Sequence, residues 1–191
     1  MLTVYIDFKS AASYLALEPT LELARETGIT IDWRPFSVRP FVVPAEQDEE
    51  TVGERHRRVR AAAQRDVHVH YAAVQGRDMH FADRPSGSEA ALAALAVMEG
   101  DPVPFIRAAF AAYWTEQADL ADETVVETLL QSVGMDHADW ELASVKLDSI
   151  RSSAEESGIF EAPSYLIADQ LFLGREHLPW IRSLIPAGQR V

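Results

Sequence analysis

The first stretch of the chain, Leu2 to Phe8 (LTVYIDF), is an almost unbroken run of β-branched and aromatic residues, and it predicts a strand. A turn of small residues follows, Lys9-Ser10-Ala11-Ala12. From Ser13 to about Thr27 the apolar positions Leu15, Leu17, Leu21, Leu23 and Ala24 then predict a helix. Pro19 falls inside that helix, so a kink or an irregular first turn is expected there. Gly28 is suited to close it in a left-handed conformation. Ile29 to Val38 alternates and predicts a second strand. A strand, helix and strand joined this tightly imply a parallel pair with a crossover helix.

The pattern changes after Pro40. Pro40 and Pro44 bracket an irregular stretch, and the acidic run Glu46 to Glu50 leads into a long helical segment from about Thr51 to Ala73. Ser86 with Glu89 three residues on reads as a capping box for a helix over Gly87 to Glu99. Asp101-Pro102, Asp122 and Asp136 each read as a start of a further helix, and Gly134 and Gly158 as stops. About 110 central residues are therefore helical, too many for a loop, and imply a folded insertion. Strand character returns at Ser164 to Ala168. A turn is expected at Asp169-Gln170, then a partner strand at Leu171 to Leu173 and a last helix at Glu176 to Leu184. The order β-α-β, helical block, β-β-α is that of a thioredoxin-like α/β fold with a large all-helical insertion. The expected parts are residues 1–40 with 158–191, and the insertion 41–157.

Charge and composition narrow the function. The 191 residues include 30 acidic and 17 basic side chains, for a net charge of −13. That balance repels phosphate and argues against nucleic-acid binding. No apolar run reaches the roughly 20 residues of a membrane span, and Asp7 and Lys9 interrupt the early apolar segment where a signal peptide would need continuity. A cytoplasmic protein is expected. With no cysteine, disulfides, thiolate metal sites and any cysteine nucleophile are excluded. His68 and His70, with His56 and His80 nearby, do not make a metal site, because positions two apart on a helix point to different faces. The run Arg55 to Arg60 reads as a solvated, salt-bridged face. One or two of these arginines, or Arg77 and Arg84, are candidates to hold a substrate carboxylate. Tyr113 and Trp114 read as core of the helical insertion.

Three segments carry a resemblance. They are Asp7-Phe8-Lys9-Ser10-Ala11-Ala12-Ser13-Tyr14-Leu15-Ala16, Gly158-Ile159-Phe160-Glu161-Ala162-Pro163-Ser164, and Phe172-Leu173-Gly174-Arg175-Glu176-His177-Leu178. In this order the chain resembles the DsbA-like thioredoxin superfamily. Within it, the likeness is to the branch of 2-hydroxychromene-2-carboxylate isomerase and the kappa-class glutathione transferases. That branch has D-F-x-S-P-x-S/A-Y-L-A, G-V-F-G-V-P-T and F/W-x-G-x-D/E-R/H-L at these places.

Redox members of the superfamily carry Cys-x-x-Cys where this chain has Ser10-Ala11-Ala12-Ser13, so dithiol exchange is excluded. The resemblance implies a borrowed thiol, glutathione, whose thiolate the Ser10 hydroxyl and the helix N-terminus stabilise for covalent catalysis on a small conjugated or aromatic electrophile. It further implies a cis Pro163 that presents the Ala162 backbone to an extended peptide. A turn at Gly174, Arg175 and Glu176 would hold the γ-glutamyl end. A homodimer is also implied. Ala11 and Ala12 stand where the branch has proline and an aromatic, which implies a wider pocket or a different substrate. Glu161 and Leu173 replace a small residue and an aromatic. The alternative is a catalytically silent thioredoxin-like module that binds a peptide or partner chain at the cis-proline edge.

Overall fold

A computed structural model describes residues 1–39, 50–82, 86–135 and 137–186. The expected features at Pro40, Pro44 and Glu46, the candidate Arg84 and the helix start at Asp136 lie outside the described residues. Among the described residues, four strands form one sheet in the order β2-β1-β3-β4: β1 (Leu2–Ile6), β2 (Ile31–Pro35), β3 (Ser164–Ile167) and β4 (Gln170–Leu173). β1 is parallel to β2, as the short crossover requires, and antiparallel to β3, which pairs antiparallel with β4.

The near-continuous apolar run of β1 suits a strand covered on both faces. Leu2, Val4 and Ile6 share one face and are fully buried. On the other face Tyr5 meets Phe36, Ala154 and Ile159. The crossover is α1 (Ala11–Thr27), which runs through Pro19 as one helix and ends at Gly28 with φ of 70°. Its Thr20 hydroxyl and the Tyr165 hydroxyl of β3 lie 2.9 Å apart in the core, pinning helix to strand.

Contacts divide the chain into two compact units, Met1–Val38 with Phe81–Val191, and Arg39–His80. Among its described residues the second unit holds a long helix, α2 (Val52–Val74), opened by the reciprocal capping of Thr51 and Glu54. Within it Arg58 pairs with Glu50 at 2.9 Å. In the first unit, α3 (Glu89–Val97), α4 (Val103–Trp114), α5 (Glu123–Ser132) and α6 (Trp140–Glu156) follow. By packing, α3 and α6 lie against each other and against β2, and so join the sheet. A short 3-10 turn (Arg175–His177) and α7 (Leu178–Leu184) complete the chain.

Two local expectations are corrected. Ser86 is no N-cap: its hydroxyl donates to the Ala118 carbonyl, and Ser88 precedes α3 instead. The Glu89 carboxylate accepts from the Ser88 N–H, so the expected Ser86–Glu89 capping box does not form. The hairpin turn is Ala168-Asp169, one residue earlier than expected. Both residues have positive φ, the geometry of a two-residue hairpin, and Gln170 already pairs with Ile167.

Candidate active site

The strand-to-helix turn after β1 places Ser10 at the start of α1. Its extended backbone (φ −83°, ψ 113°) lets the side-chain oxygen accept the Ser13 N–H at 3.2 Å, an N-cap. The same hydroxyl donates to the Ala162 carbonyl at 2.8 Å, across 152 residues of sequence. The Ala162–Pro163 peptide is cis. The Pro163 carbonyl accepts the Gly174 N–H at 2.9 Å, which seats the third segment against the second. Gly174 has φ of 82° and ψ of 156°, a region open essentially to glycine alone. A Cβ there would clash with the Glu176 carboxylate, which folds back over the Gly174 backbone.

The structure thus brings Ser10, Ala162, Pro163, Gly174 and Glu176 together through a chain of direct contacts. Arg175 begins the 3-10 turn beside them, close enough for its charge to act on the buried Tyr165 phenol. Burial pushes that phenol far up, so it stays neutral. Ser13, the other hydroxyl of the motif, is fully buried and accepts the Asp7 N–H at 3.4 Å. Only Ser10 of the pair is partly open to solvent. Glu161 is exposed, so water screens its charge.

Sequence reasoning missed a polar cluster on the other side of the turn. The Asp7 carboxylate is fully buried. It accepts from the Ser88 hydroxyl at 2.7 Å, the Val38 N–H at 2.7 Å and the Lys9 N–H at 3.2 Å. It also pairs with the Lys9 ammonium at 3.0 Å. That ammonium donates to Ser37 at 3.0 Å and lies 3.6 Å from the Glu89 carboxylate, so a second acid faces its charge. Burial works to raise the Glu89 carboxyl. The backbone N–H groups at the start of α3 and the Lys9 charge outweigh it and hold the carboxyl below its ordinary range.

Trp114 is buried as expected, but its indole N–H donates to the Phe8 carbonyl at 2.9 Å, so it braces the turn itself. Tyr14 stacks on it at 5.9 Å and Phe81 meets it edge-on at 5.2 Å. An acid closing an apolar strand, Asp7, was the one signal of this cluster in the sequence.

Residues 1–185 match the family of DSBA-like thioredoxin domains. The chain belongs to that family. It is 27% identical over 192 residues to 2-hydroxychromene-2-carboxylate isomerase of Sphingobium xenophagum, covering 95% of either chain. The solved structure of a 2-hydroxychromene-2-carboxylate isomerase matches with a TM-score of 0.76 at 20% identity, over 95% of this chain and 92% of that one. A cytosolic disulfide reductase from Pseudomonas aeruginosa, solved with GSH, matches with a TM-score of 0.58 at 18% identity, over 95% of both. The two structural likenesses support the thioredoxin-like fold.

Among the described residues, no group of three or more histidine, aspartate and glutamate side chains gathers as a metal cage. No helix among them is long and apolar enough to cross a membrane.

Proposed function

We propose that the chain is a glutathione-dependent isomerase or transferase of the 2-hydroxychromene-2-carboxylate isomerase kind, acting on a small conjugated or aromatic electrophile. The observation that carries this is the meeting of Ser10 and Ala162 at 2.8 Å, at the N-terminus of α1. It puts a hydroxyl donor, a helix dipole and a backbone peptide group at one point. Full-length similarity to a 2-hydroxychromene-2-carboxylate isomerase supports the reaction class, and a fold relative solved with GSH supports the co-substrate.

The residues fit the tripeptide by their chemistry. Ser10 suits a thiolate, because a hydroxyl hydrogen bond and the positive end of a helix both favour sulfur in its charged form. The Ala162 backbone suits the cysteinyl peptide group, and Glu176 suits an ammonium group. When bound, glutathione would supply the nucleophilic sulfur that the chain lacks. Trp114, Tyr14 and Phe81 provide an aromatic wall behind the turn. The active form is proposed to be a homodimer in the cytoplasm, as the family resemblance implies.

Titration calorimetry with glutathione is the test. Saturable heat at millimolar ligand or below is expected, and its absence overturns the reading. With binding in hand, absorbance assays of 2-hydroxychromene-2-carboxylate with and without glutathione examine the reaction, and light scattering examines the dimer.

A further inference from the structure

Ser10 has one hydroxyl proton, and it is already in use. The proton is given to the Ala162 carbonyl at 2.8 Å, while the oxygen takes the Ser13 N–H at 3.2 Å. To stabilise a thiolate, the hydroxyl must turn away from Ala162 and leave that carbonyl without its donor. Ala162 is only 8% exposed, so an abandoned carbonyl there is costly.

We infer that the Ala162 carbonyl holds Ser10 in reserve and releases it only to a thiol that brings its own amide N–H. In this handover the incoming N–H takes over the Ala162 carbonyl, the Ser10 hydroxyl swings to sulfur, and the thiol proton leaves to solvent. A thiol without the amide must pull Ser10 from the carbonyl and leave it unpaired. The site thereby selects cysteinyl amides, peptide-like thiols, over simple thiols of the same charge. The selection acts on thiol ionisation rather than on shape.

The inference rests on the thiol-binding reading above, and matched ligands separate the two. N-acetylcysteine and N-acetyl-N-methylcysteine carry the same thiol and carboxylate and differ at the amide N–H. The charged and titratable groups around the turn act alike on both: Asp7, Lys9, Glu89 and Tyr113 on one side, and Glu161, Arg175, Glu176 and His177 on the other. For each ligand, thiolate ultraviolet absorbance is titrated free and protein-bound, and the drop in thiol pKa on binding is taken.

The drop is expected to be larger for N-acetylcysteine by about one pH unit, the scale of one unmade hydrogen bond. The gap should vanish in Ser10→Ala and persist in Ser10→Thr, which keeps the hydroxyl. Equal drops for the two thiols, or a gap that survives Ser10→Ala, overturn the handover while leaving thiol binding intact. Should neither these thiols nor glutathione bind, the functional reading fails and the handover falls with it.

Discussion

Two sides of one turn, a few residues apart, handle polar groups in opposite ways. On the Asp7 side every strong group is matched inside the protein. The buried carboxylate has Ser88, Val38 and Lys9 as partners, and the Lys9 ammonium meets Asp7, Ser37 and, as an ion pair, Glu89. On the Ser10 side the bonds run to backbone atoms, the Ala162 carbonyl and the Ser13 N–H, through a rotatable hydroxyl. The first arrangement locks geometry. The second keeps a donor that can be re-aimed. The difference separates a clamp from a candidate site, although both are polar, both sit on the same turn and both tie distant parts of the chain together.

The comparison breaks most easily at Asp7. Asp7→Ala leaves the largely buried Lys9 ammonium without its main partner, and a loss of about 3 kcal/mol or more in urea denaturation is expected. A loss under about 1 kcal/mol would show that the cluster is no clamp. Next comes Gly174→Ala, where a side chain must adopt a glycine-only conformation and push the Glu176 carboxylate aside. A cost of about 1–3 kcal/mol is expected, together with weaker glutathione binding by calorimetry.

Ser10→Ala should cost about 2 kcal/mol, from the lost N-cap together with the donor taken from the Ala162 carbonyl. Its main effect should fall on ligand: a raised pKa of the bound thiol by absorbance, where an unchanged value would make Ser10 a cap and nothing more. The smallest effect belongs to Tyr113, whose hydroxyl donates to the Ser86 carbonyl at 3.1 Å. Burial, with the Asp7 charge adding to it, pushes its phenol up to about 12 from 10.0. A raised folded pKa stabilises in full below pH 10 and is lost as pH climbs through about 12. Stability measured across that window should fall less steeply in Tyr113→Phe than in the unaltered protein.

What could be read from the sequence was whatever is written in local pattern. The apolar run of β1, the Gly28 stop and the short crossover define the β-α-β unit, because each depends on neighbours a few residues away. The three resembling segments named candidate residues that the structure places in contact, and the cis peptide at Pro163 agrees with what the resemblance implies. Misreadings arose where a distant group competes for a local one. The Glu89 carboxylate matches a capping box by spacing, yet it serves the Ser88 N–H and the Lys9 charge. The Ser86 hydroxyl goes instead to Ala118, across 32 residues. The hairpin turn slipped by one residue because Ala168 adopts positive φ without the usual glycine or asparagine. Of the Asp7 cluster only the acid itself was legible, because its Ser88 bond spans 81 residues and no spacing rule reaches that far.

The bond between Ser10 and Ala162 also has a consequence in time. At roughly 5–20 residues per second, a ribosome adds Ala162 about 8–30 s after Ser10. During that interval β1 has only its parallel neighbour β2, and the edge that β3 will later cover lies open. Sheet closure and completion of the site are then the same late, long-range event. A nascent chain that stops before the Gly158 stop signal has its first strand and its serine in place, but neither a third strand nor a carbonyl for that serine to hold.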